Sequence, residues 1–415
     1  MTWLIGIIKI IVLLGTLVTI HELGHFLVAK ACKVKVHKFA IGFGPKIFTK
    51  QKGETEYTLR VIPFGGFVQL EGEDERSEDE RAFNKKPVWQ RILIIIAGAT
   101  VNIIFALVLY YLVCVSTNVY ISSILKDVDN TSVAYQQGFR SGDEIVSING
   151  RRTKTQNHVV NEISRNTSDE MTFVIRRNNE LETLNVTIPN TEVGVAGMGF
   201  DKDANIVYVQ VGGSAETAGI EVGDKLISID GKEGLGITDY VDMIKEAPNK
   251  ELDIKVTREN EELSYKITPS SKVVRIFDVS YTVLSRLNFF DNSYYAFDET
   301  GYYFNETIRA FVMLIAGKTK DAEVMGPVGI AGQITKTQGW VDFFYLMSAI
   351  SLSLGIFNLL PVPALDGGKL LFLIIEGVRG KPLEQKTEIS WQLAGFVIII
   401  GLAIFVTIKD VINLF

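Results

Sequence analysis

Long apolar stretches alternate with polar segments along this chain, and they lie mainly toward its two ends. Four of them are long enough to cross a hydrocarbon core, which needs ~20 helical residues. They cover residues 3–28, 92–115, 343–360 and 391–408. The pattern predicts four transmembrane helices.

The distribution of lysine and arginine between the connecting segments predicts the orientation of these helices. Positively charged loops beside a span stay in the cytoplasm. Residues 30–52 carry seven lysines and residues 379–386 carry one arginine and two lysines, whereas residues 116–130 carry only Lys126. We therefore expect the first and third connections inside, and residues 116–340 and both termini outside.

The outer segment contains an internal repeat at an offset of 81 residues. Residues 138–150 and 219–231 are identical at six of thirteen positions, and each copy has a Gly-Asp turn, a short apolar strand and an Asn-Gly or Asp-Gly turn. A fixed period of this kind indicates duplication. Each copy resembles the PDZ domain common in bacterial proteases, which implies binding of extended peptides at a sheet edge. A rigid spacer without a ligand is the alternative.

Composition excludes several classes of protein. Hydrophobic residues make up 47% of the 415 residues and charged residues 22%, and the formal net charge is -6. Without a long basic block, a nucleic-acid-binding function is not expected. Two cysteines are too few for a disulfide scaffold.

A metal-binding pattern lies inside the first apolar stretch. His21 and His25 of the pentapeptide HELGH stand four residues apart, so on a helix both imidazoles face one side and can bind one ion. Zn²⁺ accepts imidazole and carboxylate ligands and leaves a position for water, and Glu22 is placed to take a proton from that water. The alternative is an accidental match. It is disfavoured because an ionisable residue near the bilayer centre costs ~2.5–3.5 kcal/mol.

Two imidazoles do not complete a hydrolytic zinc site, so a third ligand is required. Residues 26–53 contain no Asp or Glu. The candidate is Asp366, which follows Pro361 and Pro363 in residues 358–368. Prolines interrupt a helix, and non-helical backbone at membrane depth is tolerated where it is buried or lines a wet cavity. Such a break can direct a carboxylate inward.

HELGH together with NLLPVPALDGG (residues 358–368) resembles the site-2 protease family of intramembrane zinc metalloproteases. The two PDZ-like repeats are similar to its RseP-type bacterial branch, as are residues 42–45, 63–67 and 326–330. The resemblance covers nearly the whole chain and implies a location in the bacterial plasma (inner) membrane. It implies that His21, His25 and Asp366 hold Zn²⁺ and that Glu22 is the catalytic base.

The same resemblance implies that Asn358 and Asn102 bind substrate. Gly65 and Gly66, in a predicted hairpin, are further candidates for substrate binding. Asn102 corresponds to the asparagine of a GPxxN element, although Ala99 replaces its usual proline. Lys369 stands where the family often has histidine. Residues 54–70 alternate and are predicted to form a hairpin whose edge clamps an unwound substrate as an added strand. A plain surface hairpin is the alternative.

An amphipathic stretch at residues 305–316 is expected to lie along the outer membrane surface. Its apolar side is formed by Phe304, Ile308, Phe311, Val312 and Ile315.

The predicted fold is an α-helical polytopic membrane protein, in which four transmembrane helices form a metalloprotease core and carry two inserted α+β PDZ domains. The predicted domains are core residues 1–115, PDZ domains 116–190 and 191–272, a linker with an interfacial helix at 273–340, and core residues 341–415.

The expected function is cleavage of single-pass membrane proteins within the lipid bilayer, near the cytoplasmic side. The family resemblance implies anti-sigma factors or signal-peptide remnants as substrates. The rivals are a non-catalytic scaffold that binds peptide tails and a zinc transporter. Intact Glu22 and Asp366 disfavour the scaffold, and the lack of several polar spans disfavours the transporter.

Overall fold

The structure is a computed structural model of the 415-residue chain. It describes residues 2–73, 75, 77–210, 212–316, 327–337 and 339–412. The helices in these residues are α1 Thr2–Ala31, α2 Val88–Thr117, α3 Val133–Gln136, α4 Gln156–Arg165, α5 Ser214–Ala218, α6 Ile237–Lys245, α7 Phe289–Ile315, α8 Pro327–Lys336, α9 Trp340–Leu359, α10 Asp366–Arg379 and α11 Gln385–Ile412.

The strands in the same residues are β1 Val36–Lys52, β2 Thr55–Leu70, β3 Val119–Leu125, β4 Glu144–Ile148, β5 Arg151–Arg152, β6 Glu170–Arg177, β7 Glu180–Thr187, β8 Asn190–Val195, β9 Met198–Phe200, β10 Ile206–Val209, β11 Lys225–Ile229, β12 Lys232–Glu233, β13 Leu252–Arg258, β14 Glu261–Ile267, β15 Ser270–Arg275 and β16 Tyr281–Ser285.

The chain folds into two compact units. Unit 1 consists of Met1–Tyr120 and Ser285–Asn413, and unit 2 of Ile121–Leu284. The predicted linker at residues 273–340 is therefore wrong for its first twelve residues. They belong to unit 2, because β15 pairs with β8 and the side chains of Phe277, Val279 and Tyr281 pack against a buried core there.

Four helices within the described residues are long and apolar enough to cross a membrane, as predicted. These spans are Ile5–Ala31, Val88–Thr117, Trp340–Leu359 and Lys386–Ile408. Helices α1, α2 and α9 share a buried apolar cluster that includes Leu17, Leu109 and Met347. Large apolar side chains such as Val397 and Ile398 of α11 are exposed, as expected of a helix surrounded by lipid.

The chain reverses between α9 and α10 through six residues without regular structure. Pro361 and Pro363 lie in this turn and cannot donate backbone hydrogen bonds to a continuing helix. Ala364 takes a left-handed backbone conformation with φ +72°. The break places Asp366 at the first residue of α10.

Strands β1 and β2 form a long antiparallel hairpin with several register shifts. Residues 54–70, predicted to form a whole hairpin, are nearly all second strand. The missed partner is β1, whose Gly42, Gly44 and Pro45 interrupt the alternation by which a strand is recognised in sequence.

The predicted amphipathic stretch at residues 305–316 is the last part of a longer helix, α7, of 27 residues. Helix α7 packs against α2 and α9 through Tyr303 and Ile308, while Phe290 and Phe297 are exposed. The side chain of Ile315, and Gly326 of the 326–330 motif, lie outside the described residues. The outer membrane surface stays a prediction for α7.

Unit 2 repeats its hydrogen bonds at the offset of 81 residues that the sequence shows. In the first copy, Arg177 Nη2 donates to Asp143 Oδ2 at 2.8 Å. In the second copy, Arg258 Nη2 donates to Asp224 Oδ2 at 2.8 Å. Burial alone would raise the pKa of Asp224, but hydrogen bonds from Arg258 and from the Glu221 backbone outweigh it and hold that pKa below its ordinary value.

The two copies are joined by an antiparallel ribbon of β8 and β15. Glu192 pairs with Val273 at its centre, and these two residues are equivalent positions of the repeat. Arg275 at the end of β15 donates to the Ile188 carbonyl at 3.1 Å and pairs with Asp169 at 3.0 Å. The last strand of the second copy is therefore anchored on the first copy.

Candidate metal centre

The centre is built on α1, in the part of the helix that crosses the membrane. His21 and His25 stand one turn apart on one face, and their Nε2 atoms are 3.2 Å apart. Both side chains are only 12% exposed. The local spacing of the HELGH pattern therefore suffices to bring two ligand atoms together.

The distant carboxylate joins them. Asp366 Oδ2 lies 3.1 Å from His21 Nε2 and 3.3 Å from His25 Nε2. Among the described residues, His21, His25 and Asp366 are the group of three side chains with metal-ligand spacing. The break between α9 and α10 brings a residue 341 positions beyond His25 into contact with α1.

The geometry fits a zinc ion. Ligand atoms ~2.0–2.1 Å from a tetrahedral zinc ion lie about 3.3 Å from one another, and the three observed separations are 3.1, 3.2 and 3.3 Å. Within the described residues Asp366 Oδ2 is buried and makes no hydrogen bond of acceptable geometry. A buried carboxylate oxygen that faces two ring nitrogens is satisfied by a cation between them.

Backbone and side-chain groups fix the orientation of both imidazoles. His25 Nδ1 donates to the Ile94 carbonyl on α2 at 2.8 Å, which leaves Nε2 without a proton and available to a metal. Asn102 Nδ2 is 3.3 Å from His21 Nδ1, while Asn102 Oδ1 is buried without a partner in the described structure. Exchanging the amide oxygen and nitrogen of Asn102 lets His21 Nδ1 donate a hydrogen bond to that oxygen.

Asn102, predicted to bind substrate, is fully buried behind His21. This position does not support a contact with substrate. It places Asn102 in contact with a metal ligand instead.

Close approach of α2 to the metal ligands depends on Gly98. A Cβ atom at this position would overlap His25 Nε2 and would lie 2.8 Å from His21 Cε1. Sequence reasoning missed Gly98. The signal was the small-residue run Ala97-Gly-Ala99 in an otherwise bulky span, which is typical of closely packed membrane helices.

Glu22 lines a cavity of about 190 Å³ beside the metal ligands. The other residues around it come from α1, β2, the segment after β2, α2 and α10: His21, His25, Phe67, Val68, Leu70, Glu73, Ile94, Ile95, Asp366 and Lys369. Glu22 thus lines the same small cavity as all three ligands. It is placed to exchange a proton with a water molecule there.

The hairpin approaches Glu22 at Gly66. A Cβ atom at Gly66 would lie 3.1 Å from Glu22 Cγ, and Gly65 has φ +101°. Asn358 lies near the end of α9 and is not among the residues that line the cavity in the described structure. Substrate contacts of Gly65, Gly66 and Asn358 stay predictions.

Comparison with known proteins identifies the family of the chain. The family described as Peptidase family M50 matches residues 9–402. The chain belongs to peptidase family M50, the site-2 protease family. It is 30% identical to the regulator of sigma-E protease RseP of Escherichia coli (strain K12), over 98% of each chain.

This M50 peptidase is also similar to a second bacterial relative and, over about a quarter of its length, to a solved structure. It is 31% identical to a putative zinc metalloprotease of Vibrio cholerae, over 96% of this chain and 97% of the relative. A solved structure of an HtrA-type protease AlgW with a decapeptide aligns with 26% of this chain and 51% of that one, at 14% identity and TM-score 0.20. This M50 peptidase is a zinc-dependent metalloprotease of the membrane.

Proposed function

We propose that this M50 peptidase hydrolyses peptide bonds of single-pass membrane proteins within the bilayer, on the cytoplasmic side. The observation that carries the proposal is the position of the metal centre. All three ligands and Glu22 meet at a helix that is long and apolar enough to cross the membrane. A substrate must therefore reach this centre from within or beside the bilayer.

The metal and the protein side chains have different roles in the proposed reaction. His21, His25 and Asp366 would hold the zinc ion, which would supply Lewis acidity to polarise the scissile carbonyl and to lower the pKa of the attacking water. Glu22 accepts the proton of the attacking water on a carboxylate oxygen and passes it to the leaving amine nitrogen. Asn102 and the Ile94 carbonyl hold the two imidazoles in place.

Substrate presentation is assigned to the hairpin. The peptide bonds of a helical substrate are engaged in its own hydrogen bonds, so a cleavable segment has to be extended first. Gly66 brings β2 close to Glu22, and Gly65 stands beside it on the same strand. We assign both glycines to substrate binding, because an extended peptide added along this hairpin would lie near the metal. We assign Asn358 to the same step, at the end of α9.

We assign the two repeats of unit 2 to PDZ domains on the outer side of the membrane. The support is the repeated Gly-Asp motif, whose aspartate pairs with an arginine in both copies, and the small number of positive charges near residues 116–130. Anti-sigma factors and signal-peptide remnants are the substrate classes that the family resemblance favours.

Glu22→Gln tests the function directly. Both imidazoles and Asp366 survive, so zinc should stay bound at one ion per chain, while cleavage of a single-pass substrate in vesicles should fall by about 10²-fold or more. Glu78→Gln is the matched control, because Glu78 is 95% exposed on the segment after β2. Cleavage by Glu22→Gln at the wild-type rate would refute the assigned role.

A further inference from the structure

The cavity beside the metal ligands is too small to hold a substrate as it stands. Its volume is about 190 Å³, whereas pockets that enclose organic ligands typically measure ~300–1,000 Å³. A peptide bond flanked by two side chains needs the cavity to widen before it can reach Glu22. The walls include the segment after β2 and helix α10.

Within the described part of the chain, an ion pair joins these two walls. Lys369 Nζ lies 2.7 Å from Glu73 Oε1. Lys369 stands three residues beyond Asp366 on α10, so both side chains share one helix face. Glu73 follows β2, which ends at Leu70, and both charged residues line the cavity. The pair therefore bridges the cavity between the hairpin and α10.

The segment that carries Glu73 is anchored close by. The backbone N–H of Glu71 donates to the Lys35 carbonyl at 3.0 Å, and the N–H of Phe83 donates to the Glu71 carbonyl at 2.7 Å. The Glu71 carboxylate also accepts a hydrogen bond from His37 Nε2. With Glu71 held in this way, parting of the two walls at this point requires the Lys369–Glu73 contact to break.

This contact is suited to opening and closing. The Lys369 side chain is 35% exposed and that of Glu73 is 16% exposed. Partly solvated ion pairs are weak and exchange readily with water. Breaking the ion pair therefore costs little free energy compared with moving a packed helix.

We propose that Lys369 and Glu73 form a latch that sets how readily the cavity opens, and thereby which peptides are admitted to the metal centre. Lys369 acts through Glu73 and is a positioning residue. The inference rests on the proposed function, which it extends from the chemistry to control of entry. A latch changes the rate of access to the metal in both directions, so it leaves the equilibrium affinity for zinc unchanged.

The test measures how fast a chelator removes zinc from the full-length protein in detergent. Lys369→Gln and Glu73→Gln should each speed removal by ~2–5-fold, the range expected for loss of a partly exposed ion pair, with zinc affinity unaltered. The double exchange Glu73→Lys with Lys369→Glu should restore a rate within about twofold of wild type, because it rebuilds the pair in reverse.

Lys46→Gln is the matched control. It breaks another lysine–glutamate pair of the same hairpin, Lys46 Nζ to Glu56 Oε1 at 2.6 Å, which does not line the cavity. Removal of zinc from this variant should be as slow as from wild type.

The outcomes separate the latch from the proposed function. If Lys369→Gln releases zinc at the wild-type rate, or if the double exchange fails to restore that rate, the latch is refuted. If the single variants release zinc faster and the double exchange restores the rate, the latch stands. This conclusion about the latch holds even if no variant cleaves a membrane peptide. Absence of cleavage would refute the proposed function and leave the latch in place.

Discussion

At the residue scale, single atoms decide whether three ligands can converge on one ion. Gly98 has no side chain, so no methyl group stands between α2 and the imidazoles. Asn102 and the Ile94 carbonyl then set which nitrogen of each ring faces the metal. Partners of metal ligands typically change affinity or activity by ~10–100-fold when lost, so these α2 residues are part of the centre.

Gly98→Ala should abolish tight zinc binding while α2 still forms. The added Cβ atom would overlap His25 Nε2, and the imidazole can avoid it only by leaving the position where it faces Asp366. We expect zinc affinity at least ~10-fold lower, measured by competition with a chromophoric chelator. Gly377→Ala is the control, because its new methyl group would meet Val88 Cγ1 at 3.6 Å, an ordinary contact. Equal affinity in both variants would contradict this account.

At the element scale, helix α10 determines where the third ligand sits. It begins at Asp366, and Leu370 and Leu373 farther along pack with Ile94 and Ile95 of α2. Near its end, Arg91 of α2 forms a two-pronged ion pair with Glu376, with distances of 2.9 and 2.5 Å. The side chains are 11% and 14% exposed, so this pair is largely shielded from water.

Removing one charge of this pair should destabilise unit 1. Arg91→Met leaves Glu376 poorly solvated without its partner, and we expect a loss of up to about 3 kcal/mol in the free energy of unfolding. Arg91→Met with Glu376→Leu should recover most of it, because two apolar groups leave no unpaired charge. Denaturation of the detergent-solubilised protein measures both values. A double variant less stable than the single one would contradict the argument.

At the scale of the whole molecule, unit 2 is an insertion whose ends are held together within unit 1. Asn118 Oδ1 accepts a hydrogen bond from the Leu287 N–H at 2.7 Å, and the ring of Tyr120 stacks on Tyr295. The chain therefore leaves unit 1 and returns to it at neighbouring points. Unit 2 can be removed with a short linker between these points.

This arrangement allows a test of what the two repeats do. If they act as a size filter, deletion of residues 121–284 should let the protease cleave substrates that still carry bulky outer domains, while trimmed substrates are cleaved about as before. If the repeats instead recruit trimmed substrates, the same deletion should slow cleavage of those. We expect the filter result, measured with matched long and trimmed substrates in vesicles.

A smaller excision is the control. Removing the 81 residues 194–274 takes out one period and joins equivalent positions of the two copies, while Phe277, Val279 and Tyr281 stay to complete the first core. If unit 2 is a size filter, the variant that keeps one copy of the repeat should exclude fewer long substrates than the wild type. It should exclude more of them than the variant that lacks residues 121–284. Equal exclusion by all three proteins would rule out the filter.

The sequence alone determined the features that depend on local spacing and on composition. Four apolar stretches predicted the spans because hydrophobic length is a local property, and HELGH placed His21 and His25 together because helical periodicity is fixed. The repeated motif predicted a duplication, because a fixed offset between two copies is visible in the sequence itself. Asp366 was predicted with the help of the proline break and a family resemblance, since its distance of 341 residues from His25 contains no geometric information.

Only the tertiary structure decided which distant groups meet. The overlap that excludes a side chain at Gly98, the burial of Asn102 behind His21 and the Lys369–Glu73 pair all arise where separate elements cross. Strand β1 and the return of residues 273–284 to unit 2 were missed for the same reason. Pairing across long separations depends on packing of the whole chain, and no local pattern of polar and apolar residues encodes it.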